Sequence, residues 1–186
     1  MRPFGIEPEP RDRIIRMTRL CHTTAIADNL RAVTKQLFVY GILGVITSAA
    51  AFTVNHRLFD RAKVGSVTVL EGACYAIGIT SLVLGWYFNV RYVHQYGGHA
   101  TYLNYTKTLF NSWASDSAAQ DYVIVNVLLL PLWSIVDGRR RGMRAPWMFV
   151  VMSLFTSLAF SVAMYLAFVE RQNRHNRAAL AASNTA

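Results

Sequence analysis

Apolar positions along this chain gather into long blocks instead of the short periodic groups of a soluble core. Residues 37–54 run for eighteen positions without a charge. At about 1.5 Å per residue, such a helix just crosses roughly 30 Å of hydrocarbon. A second block, 67–90, carries one carboxylate, Glu71, about a turn inside its start and ends on Trp86-Tyr87-Phe88, which suits the interfacial aromatic belt. The third, 122–136, is fifteen residues long with Pro131 inside. Proline bends a helix but is tolerated in lipid where neighbours re-satisfy the freed carbonyl. The fourth, 146–169, has twenty-four residues without a charge, Pro146 at a first helical position and Trp147 at the interface. Four spans follow, and an all-α integral membrane four-helix bundle is the expected fold.

The polar stretches complete a plan of one membrane domain, 37–169, with two appendages. Residues 1–36 form a basic arm. Pro3, Pro8 and Pro10 keep its front irregular, and beyond them Ile14, Ile15, Met17 and Leu20 recur near helical spacing between Arg13, Arg16 and Arg19. A basic amphipathic helix lying on anionic lipid fits that pattern, and so does a solvated arm that only orients the first span. Residues 91–121 are rich in aromatics and broken by Gly97-Gly98, so an interfacial segment with a short helix near 102–113 is expected. Asp137-Gly138-Arg139-Arg140-Arg141 is expected to end span three sharply. The tail, 170–186, is basic and then rich in alanine and serine, and is expected to be disordered.

Charge refines the picture. The formal net charge is +9, and 53% of the residues are hydrophobic. Because the basic positions flank apolar blocks, lipid head groups are the expected partner and nucleic acid is not; Arg13, Arg16, Arg19, Arg139, Arg140 and Arg141 are the head-group candidates. Sixteen of the nineteen basic residues are arginine, a bias of GC-rich bacterial genomes, so a multi-pass protein of a bacterial inner membrane is expected. Four spans put both termini on one side. Lysine and arginine counted over whole segments favour cytoplasmic termini, whereas counts restricted to span ends are even.

Candidate chemistry is sparse. Small residues line one face of span one (Gly41, Gly44, Ser48, Ala51), span two (Gly78, Ser81, Gly85) and span four (Ser153, Ser157, Ser161), the pattern that lets membrane helices approach closely, within the chain or against a partner. Glu71 and Asn126 are the polar groups inside spans. Glu71 is a functional candidate as an intersubunit ion pair or proton relay, with pairing to Arg57, Arg61 or Lys63 as its structural alternative. Asn126 suits an interhelical hydrogen bond. Cys21 and Cys74 form no disulfide framework, the five histidines form no ligand set, and no phosphate loop or nucleophile elbow is present. No catalytic residue, metal or cofactor is expected.

From about residue 67 to 172 the chain resembles a family of small bacterial multi-span proteins of unknown function. The resemblance rests on Leu109-Phe110-Asn111, Ala118-Ala119-Gln120-Asp121, Asp137-Gly138-Arg139-Arg140-Arg141-Gly142-Met143, and Tyr165-Leu166-Ala167 with Glu170-Arg171. It implies no activity. The overall layout and Leu84-Gly85-Trp86-Tyr87-Phe88-Asn89-Val90-Arg91 also look like the LucB-type accessory membrane subunits found with mycobacterial Mce lipid importers. That likeness implies a non-enzymatic subunit that binds, stabilises or regulates the importer's permease. The competing expectations are an independent carrier or channel, homo-oligomeric, with Glu71 and Asn126 along its path, and a membrane enzyme or redox subunit acting on lipid or quinone.

Overall fold

The computed structural model describes Lys35 and residues 37–184. The arm, with Arg13, Arg16 and Arg19, lies outside the described residues apart from Lys35. Every regular element among the described residues is helical. Helix α1 is Leu37–Val54, α2 is Val69–Tyr96 and α4 is Trp113–Arg140, and these three are long and apolar enough to cross a membrane. A short α3, Tyr102–Leu109, lies between α2 and α4, as the aromatic segment predicts.

Three boundaries move outward from the sequence expectation. Helix α2 runs past 90 to Tyr96 because Arg91 and His94 stay helical, and it stops at Gly97, whose φ of 51° suits a residue without a side chain. Helix α4 begins nine residues before 122, where Ser112 and Ser115 exchange bonds as a capping box. It also continues through Asp137 and Gly138 to Arg140, so the basic motif is its last turn and not a break. Cationic groups favour that helix end. Inside α4, residues Val125–Leu129 form a π-helical turn just ahead of Pro131. Proline brings no N–H, and the wider turn displaces the clash its ring would otherwise make.

The fourth block does not form one helix. It is two: α5, Met148–Phe155, and α6, Leu158–Ser183. They fold back on each other. The Phe149 ring lies 5.4 Å from that of Tyr165 and 5.2 Å from that of Phe168. Nineteen residues of straight helix would hold Phe149 and Phe168 about 28 Å apart. Hydroxyls carry the break. Ser157 caps α6 by accepting from the Phe160 N–H at 3.1 Å, Thr156 donates its side chain to the Met152 carbonyl at 2.7 Å, and Ser161 donates to the Phe149 carbonyl. The expected four-helix bundle is therefore replaced by three long helices and a helical hairpin. The tail also departs from expectation: α6 stays helical to Ser183 because polar side chains between 171 and 176 bond to neighbouring elements.

Helix α6 is the hub, with Phe160, Ser161, Met164, Tyr165, Phe168 and Arg171 all buried. It runs antiparallel to α2, as the pairs Glu71–Arg171 and Ser81–Ser157 require. Phe52, Phe59 and Phe149 each meet Phe168 edge to face, forming an aromatic cluster at one end of the molecule. That end also carries the 55–66 and 141–147 loops. Asn55 joins them with a two-way amide bridge, donating to the Arg144 carbonyl at 3.0 Å and accepting from the Arg144 N–H at 3.1 Å.

Candidate functional site

The one charge within the apolar blocks, Glu71, meets charged residues from outside them at this loop-bearing end. Thr68 caps α2 by accepting from the Glu71 N–H at 3.2 Å, which holds Glu71 in the first turn, where the helix dipole favours a carboxylate. Glu71 is fully buried. Arg171 and Arg174, three apart and so on one face of α6, each take one of its carboxylate oxygens. Arg171 also donates to the Leu58 carbonyl at 2.9 Å and lies 4.4 Å over the Phe59 ring. Arg174 donates to the carbonyls of Val64 at 3.1 Å and Ser66 at 2.5 Å, and Glu170 lies 3.7 Å from its Nε. The cluster ties α2, the 55–66 loop and α6 together. Each carboxylate oxygen of Glu71 is thus held by an arginine. Among the described side chains its partners are Arg171 and Arg174; the side chains of Arg61 and Lys63 lie outside the described residues.

A second network stands beside it. Asp137 Oδ2 accepts from Tyr165 at 2.6 Å and from Arg141 Nε at 2.7 Å. Arg141 donates further to Asn173 at 2.8 Å, and its carbonyl accepts from Asn176 at 3.0 Å. Its hydrogen bond to Asp137 raises the guanidinium's already high pKa. Arg141 is engaged inside the protein, whereas Arg139 and Arg140 point outward and stay available to head groups. Gly138 allows the close turn between α4 and the loop: a Cβ there would sit 2.5 Å from Pro146.

The small-residue faces meet partners within the chain. A Cβ on Gly41 would lie 2.8 Å from Trp86, and one on Gly44 3.0 Å from the Phe155 carbonyl. Gly78 faces Met164, Phe160 and Ala163, and Ala51 and Ser161 are fully buried. Ser48 and Ser153 turn their hydroxyls to the carbonyls of Gly44 and Val150 in their own helices. Ser81 and Ser157 bond to each other at 2.8 Å, and with Gly85 they edge a shallow apolar depression of about 610 Å³ on α2. These residues pack the hairpin against α1 and α2.

Asn126 is set apart from the charged cluster, eleven residues before Asp137 and within the π turn. Its amide nitrogen reaches Tyr122 at 3.5 Å, and its buried Oδ1 has no partner. Among the described residues no three histidine, cysteine, aspartate or glutamate side chains are grouped to hold a metal. The sequence reading missed Arg171 and Arg174 because both fall after the last apolar block; their spacing of three, facing one buried acid, is the signal that was available.

A family described as a protein of unknown function, DUF2834, matches residues 74–171, more than half of the chain. The protein belongs to the DUF2834 family. The match bears out the resemblance read from residues 67–172, and α1 falls outside it. Within this DUF2834 protein the matched stretch covers α3, α4, α5, most of α2 and the first half of α6, and it ends on Arg171. No curated protein and no solved structure matches the chain. None of these findings bears on the likeness to LucB-type subunits.

Proposed function

We propose that this protein is a non-enzymatic membrane subunit that binds another integral membrane protein along α4. The observation that carries the reading is the state of α4 at mid-length. Val127, Leu128, Leu129, Leu132 and Trp133 are exposed, and among them Asn126 holds a buried amide oxygen without a donor. Pro131 also leaves a carbonyl of the preceding turn without its helical N–H. Membrane helices associate by close packing of such faces and by polar groups near them, and a neighbouring helix laid along this exposed stretch of α4 supplies both. The finer proposal, a subunit of a lipid importer that stabilises or regulates its permease, rests on the sequence likeness alone.

Site-specific photo-crosslinkers at Leu128 and Leu132 test the reading, with Ile79 on the exposed face of α2 as control. The expected result is one membrane protein captured from both α4 positions and not from Ile79. Lipid adducts alone at all three positions would overturn it. A carrier path through Glu71 and Asn126 is disfavoured: the two differ in depth by most of a leaflet, and Glu71 is fully paired.

A further inference from the structure

We infer that residues 146–169 enter and leave the bilayer at the same face, so that the chain crosses it three times and its two ends lie on opposite sides. Three observations lead there. First, α5 has eight residues, a rise of about 12 Å, less than half of the roughly 30 Å hydrocarbon thickness. Second, the turn after it stops near the midpoint of α2. Ser157 bonds to Ser81, and Gly44 of α1 abuts the Phe155 carbonyl. Helices α1 and α2 continue beyond that level, where Gly41 meets Trp86. Third, α6 runs back to the same charged end from which α5 departs. There Arg171 reaches Leu58, and Arg141 reaches Asn173.

Irregular backbone at mid-depth is tolerated only where protein satisfies and covers it. The tip meets that condition. Thr156 donates its N–H to the Met152 carbonyl at 3.0 Å, Ser157 accepts from the Phe160 N–H, and Ser81 and α1 pack against the turn, which is half-buried. The serine repeat of this block therefore serves a re-entrant turn.

The orientation follows from charge. The hairpin's face carries three basic positions in residues 55–66, four in 139–144 and three beyond 169. The opposite face has Arg91 and Lys107, with Arg19, Arg31 and Lys35 near the start of α1. Counted within about 20 residues of the span ends, where the positive-inside bias acts, ten against five places the hairpin's face in the cytoplasm. The start of α1 then faces outside, which departs from the expectation of two cytoplasmic termini.

Single cysteines at the exposed positions Ala62, Ser112 and Ser183, in a chain with Cys21→Ser and Cys74→Ala, test this with a membrane-impermeant maleimide. In intact spheroplasts Ser112→Cys is expected to label, while Ala62→Cys and Ser183→Cys label only after lysis. Four full crossings instead require Ser183→Cys to behave like Ser112→Cys, and that result would overturn the inference. Labelling of Ala62→Cys and Ser183→Cys but not Ser112→Cys in intact spheroplasts would overturn the orientation. Green fluorescent protein and alkaline phosphatase fused after Ala186 give an independent reading without substituting any residue: fluorescence without phosphatase activity is expected, and the reverse overturns the assignment.

Discussion

Replacing Glu71 by glutamine isolates the charge of the buried cluster while keeping its shape. In the native chain the carboxylate is fully buried, and the arginines that face it have side chains only 7% and 14% exposed. The substitution leaves two guanidinium groups near each other with no anion between them, held by the carbonyls of Leu58, Val64 and Ser66, the Phe59 ring and the more distant Glu170. Breaking a buried ion pair from one side costs about 3–5 kcal/mol, most of it the uncompensated charge. For a chain of this size each kcal/mol lowers the unfolding midpoint by about 2–4 °C. The expected shift is therefore roughly 6–20 °C, measured in detergent at a fixed heating rate by size-exclusion monodispersity. A companion chain with Glu71→Leu, Arg171→Met and Arg174→Met removes all three charges and is expected to recover part of the loss, because apolar groups of similar volume replace buried ion clusters at little cost. A Glu71→Gln midpoint within about 2 °C of the parent would refute the structural role of the cluster. Loss of ion flux with an unchanged midpoint would instead return Glu71 to a transport path.

Two further substitutions probe the hairpin and its anchor. Ser157→Ala removes the cap of α6 and the bond to Ser81, and a loss of about 1–2 kcal/mol is expected in detergent unfolding, against a few tenths for the exposed Ser183→Ala. Gly138→Ala drives a Cβ to 2.5 Å from the Pro146 ring, which has little freedom to move; overpacking of about 1–3 kcal/mol is expected, read as earlier proteolysis of the 141–147 loop.

The apolar blocks by themselves determined the solvent, the helical class and the places of α1, α2 and α4, because hydrocarbon demands long uncharged runs whose backbone bonds close internally. Family membership was legible too, from motifs spread over more than half the chain. The fate of the fourth block was not. Its run from 146 to 169 has no charge and no internal glycine or proline, so hydropathy reads it as continuous. Tertiary contacts decided otherwise: Gly44 and Ser81 offer the turn a satisfied seat, and the Phe149, Tyr165 and Phe168 rings reward folding back. The partners of Glu71 were equally hidden, since they lie one hundred residues away in a tail whose composition reads as disordered. Helix order there comes from what the tail touches, and touching is settled only once the chain has packed.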